Sequence, residues 1–415
     1  MTAPPAPGPL SGIKILDLTA MLAGPFTTML LADLGADVLK VEPPTGDRTR
    51  AMGPHRTGDD PQQALGGYFQ SVNRGKRSVV LDLKSEAGAA EFLELVRVAD
   101  VVVENFSAGV MERLGLSYEN LAQVNPRLVY GALRGFGDAR SGKSPYEAWP
   151  AFDVVAQAMG GLAGITGPVG GPPYKTGPGI GDIFPGTLLA LGIAAAVRHA
   201  ERTGEGQFVD VAMYDAILAL CERIVYQRSY LDVVPGPVGN GHPLMAPFDI
   251  MQTADGWIAV AAPGNKHWRI LTAAMDRPDL ADDPRFAEPS ARVANVAELR
   301  RVLGDWLAAR PTAAVVAALG GRIPIGPVND AADIFDDEHV RLREMLVEVE
   351  QPGSNTPVTI AGSPIKFSAT PSGVRGRGPM LGEETAAVVL AEWSTSTQSG
   401  EPADPSTIRG GGNGQ

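Results

Sequence analysis

Asp182 stands where Gly177-Pro178-Gly179-Ile180-Gly181 runs into an apolar stretch carrying Leu188, Leu189, Leu191, Ile193 and Val197 among alanines. Three glycines within five residues let backbone amides come close to whatever occupies that point. The apolar spacing predicts a buried helix from Ile183 to Glu201. A carboxylate at a glycine-lined helix entrance suits a nucleophile for covalent acyl transfer. It equally suits an N-cap, because Asp accepts the first free helical amides, and Pro185 and Gly186 fit a first turn. Cap preference alone favours the second role, and in either role the facing amides are expected to keep the carboxylate ionised.

Other chemistries fare worse. Cys221 follows the apolar run Ala216-Ile217-Leu218-Ala219-Leu220 and reads as a buried, inert thiol. No GxSxG elbow supplies a nucleophilic serine. A single cysteine excludes internal disulfides, and His55, His199, His242, His267 and His339 lack metal-ligand spacing, so no metal site is expected. A nicotinamide site would need a glycine-rich first turn. The turn here, Met21-Leu22-Ala23-Gly24-Pro25, offers one glycine where the fingerprint needs three, and Glu42 reads as a solvated strand end. Basic groups are better placed. Lys76, Arg77 and Lys84 flank a third strand, Arg134 closes a fifth, and Asn105-Phe106-Ser107 follows a fourth with Arg113 beyond. These lie at carboxyl ends of parallel strands, where open α/β sheets bind ligands, and converging Arg and Lys suit a phosphorylated one. Each of them also fits a solvated surface charge.

The elements that position these groups alternate. Ile13–Leu18 predicts a strand, Gly24-Pro25 opens a helix that Gly35 closes, and Val38–Val41 gives a second strand. Arg77–Leu83, Val101–Val103 and Leu128–Leu133 are further strands, with Ser85 capping a helix between the first two. Strands and helices at this spacing predict an open parallel sheet with right-handed crossovers. Beyond the long helix come a strand at Gln207–Val211, one connecting helix from about Tyr214 to Tyr230, and a glycine- and proline-rich loop at Val234–Gly241. Residues 1–200 are expected to form a large Rossmann-like domain, 201–228 a linker, and 229–330 a smaller α+β domain. Residues 331–393 are expected to return to the large domain, and 394–415, rich in Ser, Thr, Gly and Pro, to be a disordered tail.

Composition bounds the partners. The 415 residues, 44% hydrophobic and 20% charged, describe a chain able to bury a large core. With 35 Lys and Arg against 47 Asp and Glu, the net charge of −12 gives no general attraction to nucleic acid or anionic membrane. No secretory signal opens the chain and no apolar run of 18 residues is free of charge or glycine, so a cytoplasmic location is expected.

Several strings in order resemble the class III CoA-transferase family, which includes formyl-CoA transferase and carnitine CoA-transferase. They are Gly12–Leu18 with Ala23-Gly24-Pro25, Leu34–Glu42, Asn73 with Lys76-Arg77-Ser78, Asp100–Phe106, Thr203–Gln207 with Asp210–Asp215, Gly326-Pro327-Val328 and Leu381-Gly382-Glu383. The resemblance covers about Leu10 to Trp393. It places the family's aspartate nucleophile on Asp182, and implies acyl anhydride and aspartyl-CoA thioester intermediates, with glycine amides as oxyanion donors. CoA or acyl-CoA is then a substrate, with no permanent cofactor. The matching CoA-binding positions are Leu22, Ala23, Leu81, Lys84, Asn105, Phe106, Ser107, Arg113 and Arg134. The resemblance further implies an interlocked-ring homodimer. Formyl-CoA transferase carries Gln at the place of Leu22 and Arg at that of Pro43, so two of its polar contacts are missing here. The α-methylacyl-CoA racemases of the same fold need His where Phe152 stands and Glu near Gly264; phenylalanine cannot move a proton. A CoA-binding protein without catalysis is the remaining alternative, and an intact Asp182 opposes it.

Overall fold

The computed structural model describes residues 7–60 and 64–398. Chain contacts divide it into two units. The first comprises the chain through Gly160, Pro178–Leu220 and the chain from Arg341; the second comprises Gly161–Gly177 and Cys221–Val340.

In the first unit, β1 (Lys14–Asp17), β2 (Asp37–Glu42), β3 (Arg77–Val80), β4 (Val101–Glu104), β5 (Val129–Arg134) and β6 (Phe208–Ala212) form one parallel sheet in the order β3-β2-β1-β4-β5-β6. All pairs are parallel, Leu16 lying opposite Leu39 on one side and Val102 on the other. This is the Rossmann order, and its reversal between β1 and β4 brings the loops leaving those two strands to one crevice. The strands are continuous apolar runs because helices cover both faces. They are α1 (Ala23–Asp33), α2 (Gly67–Asn73), α3 (Glu86–Val98), α4 (Val110–Arg113), α5 (Tyr118–Val124), α6 (Asp153–Met159), α7 (Ile180–Thr203) and α8 (Met213–Leu220). Ser85 caps α3 as expected, accepting from Gly88 N–H. Leu16, Leu39, Phe92, Leu95, Val102 and Tyr130 are buried in the core. α7 is long and apolar enough to cross a bilayer by length and composition alone, but here it packs on α1, α8, β5 and β6.

The connecting helix expected from Tyr214 to Tyr230 is two helices. α8 ends at Leu220, Cys221 leaves helical geometry at φ −94° and ψ 33°, and α9 (Glu222–Leu231) begins in the other unit. The second unit holds the antiparallel β7 (Phe248–Gln252), β8 (Trp257–Ala261) and β9 (Ile325–Pro327). Its helices after α9 are α10 (Asn265–Ala274), α11 (Pro289–Ala294), α12 (Val296–Ala308), α13 (Thr312–Leu319), α14 (Ala331–Asp336) and α15 (Glu338–Leu342). One sheet face buries Ile258 and Val260 with Trp268, Leu271 and Leu303, while Phe248, Ile250 and Trp257 of the other face are exposed. Residues 161–177 and 331–340, expected in the large domain, group with this unit.

The chain then returns to the first unit through the hairpin β10 (Leu346–Val349) and β11 (Val358–Ala361). Glu384 N–H donates to Ser78 O at 2.9 Å along β3, and α16 (Ala386–Gln398) packs on α3. Trp393 anchors it, donating its indole N–H to Asp37 at 2.7 Å. α16 therefore runs into the expected tail as far as Gln398, because Val389 and Trp393 join the core; residues 399–415 lie outside the described residues.

Candidate active site

α7 begins earlier than its apolar pattern suggests. Ile180 is its first residue, Gly179 is the N-cap with no side chain to offer, and Asp182 lies inside the first turn. The cap reading of Asp182 is thereby overturned. The carboxylate that caps α7 belongs to Asp153, 28 residues upstream, which accepts the Gly181 amide at 2.7 Å. Asp153 is oriented by Gln157, one turn along α6, whose amide donates to both of its oxygens at 2.9 and 3.0 Å. Only glycine fits at 181, since a Cβ there would lie 2.5 Å from Asp153 O. Gly186 is equally constrained, with Ala23 O 2.7 Å from a Cβ placed on it, and this sets the close approach of α7 to α1.

Because Asp153 takes the cap, the Asp182 carboxylate receives no hydrogen bond or ion pair among the described residues. It is half-buried. Burial, and then the negative charge of Asp153, push its pKa up to about 7. The expectation that helix amides keep it ionised is corrected accordingly: the Gly181 amide is bonded to Asp153 and none is donated to Asp182 among the described residues, so desolvation dominates. The same bond removes Gly181 N–H from the set of oxyanion donors. Tyr68 shares this environment, its phenol pKa raised by burial first and then by the charge of Asp182.

Leu22 forms the other wall. A Cβ on Gly179 would lie 3.0 Å from Leu22 Cδ2, 3.8 Å from Asp182 Oδ2 and 3.9 Å from Asp153 Cγ, so the three side chains surround one point. A carboxylate without a donor, beside an apolar wall and a second carboxylate, is poorly stabilised as an anion. It gains by becoming a neutral acyl derivative, which is the chemistry of a nucleophile.

Of the basic groups expected to meet phosphates, three are already neutralised. Lys76 is fully buried against Asp17 at 2.9 Å, and burial lowers its pKa to about 8. Arg77 pairs with Asp37, Glu384 and Glu392. Arg134 is 7% exposed, paired with Glu104 at 2.7 Å and with Asp138. Arg134 and Arg140 also line a cavity of about 450 Å³, but with Glu112, Glu119, Asp138 and Glu147, an acidic lining unsuited to phosphate. Lys84 and Arg113 are exposed and carry no ion pair among the described residues, which leaves them available to an anion. Ala23 and Leu81 are buried, Phe106 is half-buried, and Ser107 is exposed. Asn105 is committed to the protein, its amide bonding both Ala20 N–H and Ala20 O. Glu42 is not a solvated strand end: it is 1% exposed and holds Arg50 through two bonds of 2.6 and 2.8 Å.

The sequence pattern missed Asp153 and Tyr68, which have no local signature. Asp153 was visible only as the residue after Phe152, and its partner lies on another helix.

Residues 10–385 match the profile of CoA-transferase family III. A succinyl-CoA:mesaconate CoA-transferase of Haloarcula hispanica is 51% identical over 91% of this chain and 95% of its own. An acetyl-CoA:oxalate CoA-transferase of Acetobacter aceti is 41% identical over 93% and 97%. The crystal structure of a CAIB/BAIF family protein from Brucella suis superposes with a TM-score of 0.81 at 35% identity, covering 93% of this chain and all of that one.

Proposed function

Because the chain belongs to CoA-transferase family III, we propose that Asp182 is the nucleophile through which it exchanges CoA between a succinyl-CoA-type donor and a mesaconate-type acceptor. The observation that supports this most is a half-buried carboxylate with no donor, raised to a pKa of about 7 beside Asp153. An Asp182 oxygen attacks the thioester carbonyl of the donor, and the C–S bond breaks to release CoA thiolate and leave an acyl-aspartyl anhydride. The thiolate attacks Cγ of Asp182, expelling the donor acid and leaving an aspartyl-CoA thioester. The acceptor carboxylate attacks that carbonyl and displaces the thiolate, which returns to the acceptor's acyl carbon and frees Asp182. Each acylated state of Asp182 is neutral, so repulsion from Asp153 is relieved when the covalent bond forms.

CoA lies along the crevice at the β1–β4 switch, against Leu22, Ala23, Leu81 and Phe106-Ser107, with Lys84 and Arg113 for its phosphates. The donor and acceptor classes follow the succinyl-CoA:mesaconate CoA-transferase that is 51% identical. The enzyme works in the cytoplasm as a homodimer, and a second copy covers the exposed face of Phe248, Ile250 and Trp257 and the Tyr230 and Leu231 side chains of α9. Light scattering in solution tests that assembly, and a monomeric mass overturns it.

The central test is trapping. Incubation with succinyl-CoA followed by hydroxylamine and peptide mapping is expected to place hydroxamate on Asp182 alone; a label elsewhere, or none, overturns the nucleophile. A coupled assay over a panel of acids is expected to rank mesaconate first. α-Proton exchange in deuterium oxide without an acceptor would instead favour a racemase.

A further inference from the structure

The turn leaving β1 is held from several directions. Met21, a non-glycine residue, has φ +70°. That left-handed conformation crowds its Cβ against the next carbonyl and is strained for any residue but glycine. The residue just ahead of it is bracketed by one side chain: Asn105 Oδ1 accepts Ala20 N–H at 2.9 Å, and Asn105 Nδ2 donates to Ala20 O at 2.8 Å. Buried charges hold the flanking residues. Asp17 accepts Thr19 N–H at 2.9 Å, and Lys40 donates to Thr19 O at 2.7 Å. Lys76 donates to Pro25 O at 3.0 Å while paired with Asp17. The next residue after Met21 is Leu22, whose Cδ2 lies 3.0 Å from the position of a Cβ on Gly179, the point that Asp182 Oδ2 also borders.

We infer that Asn105 is a positioning residue: it acts through Met21, holding the strained turn that seats Leu22 beside Asp182, rather than as a hydrogen-bond ligand of CoA. This rests on the reading of Asp182 given above. The reason is one of supply. The amide's carbonyl and NH₂ ends both face Ala20, which is the geometry of a clamp, and the loops bearing them meet only because the sheet order reverses between β1 and β4. Asn is the residue that suits both bonds at once, since Asp would set a second acceptor against Ala20 O and Ala would release the turn. A released Met21 relaxes toward negative φ and carries Leu22 away from the wall of the site. Misplacement of that kind costs turnover far more than CoA affinity, because Leu22 is one contact among several and Ala23, Leu81, Phe106-Ser107, Lys84 and Arg113 stay in place.

The test is a double-mutant cycle. Asn105→Ala is expected to lower kcat by roughly 10- to 100-fold with little change in the Kd for CoA. Met21→Gly in the same background is expected to restore most of that loss, because glycine takes positive φ without a clamp. Asn105→Asp, nearly isosteric, is expected to repeat the kcat loss and serves if Asn105→Ala folds poorly. A raised Kd for CoA at unchanged kcat, or a Met21→Gly change that restores nothing, overturns the inference. Hydroxylamine trapping on the wild-type enzyme separates the two readings: failure to label Asp182 sinks the nucleophile, whereas the Asn105–Met21 coupling is measured in the transfer assay regardless.

Discussion

Asp153 caps α7 in place of Asp182. Its carboxylate accepts the amide of Gly181 at 2.7 Å, which leaves the next residue, Asp182, with a carboxylate that receives no bond and feels a second negative charge. One hydrogen bond thus decides two properties of the site. The helix end is satisfied, and the group beside it is kept poorly stabilised as an anion.

Removing the charge of Asp153 is expected to make Asp182 easier to ionise. The Asp153→Asn variant keeps an oxygen for Gly181 N–H but lifts the repulsion, so the Asp182 pKa falls from about 7. On the proposed mechanism Asp182 attacks as the anion, so wild-type kcat is expected to decline as pH drops below that value. In Asp153→Asn the decline is expected at lower pH, read from a kcat–pH profile; an unmoved profile would exclude the coupling.

Asp182→Asn is expected to abolish transfer, by about 10⁴-fold or more, as removal of a covalent nucleophile does. Binding of CoA, followed by calorimetry, should persist. Residual turnover above that level would place the covalent step on another group.

The same variant should be more stable than wild type, by a margin that grows as pH rises from about 4 to about 7. The folded pKa of Asp182 is about 7 against 3.8 for the free group. Between these values the folded state holds a proton that the unfolded state has lost, so stability falls as pH rises through this window. The substituted amide does not titrate. Thermal unfolding should therefore show near-equal stability at pH 4 and an advantage on the order of 4 kcal/mol for Asp182→Asn at pH 8. An advantage of the same size at both pH values would contradict this.

Two glycines of the Asp182 approach should respond oppositely to alanine. A Cβ on Gly181 meets Asp153 O at 2.5 Å, whereas one on Gly177 meets nothing within 4 Å. Gly181→Ala is expected to cost about 1–3 kcal/mol and to depress kcat as Asp153 is displaced. Gly177→Ala should stay within about 0.5 kcal/mol of wild type. Chemical denaturation with parallel kinetics checks both.

Lys76→Met should destabilise strongly, by about 3–5 kcal/mol, because it leaves Asp17 buried without its cation. Both side chains are fully shielded from solvent and 2.9 Å apart. A loss below about 1 kcal/mol in urea unfolding would mean that Thr19 and Thr28 satisfy Asp17 by themselves.

By itself the sequence determined the alternation of strands and helices, the cap at Ser85 and Asp182 as the residue of interest. Those features rest on local rules: apolar periodicity, cap chemistry, and glycines within a few positions of each other. Tertiary structure decided which polar groups are free. Lys76, Arg77 and Arg134 looked available for phosphate, yet each meets carboxylates brought from other strands or helices. Asp182 looked like a cap, yet α6 delivers Asp153 to that task from 28 residues away. Asn105 was legible only as a polar residue after a strand, and its bonds to Ala20 span 85 residues of chain. The physical reason is common to all of them. Hydrophobic burial is written in each segment's own period, whereas a buried charge or amide is satisfied by whatever partner the packed sheet places within about 3 Å.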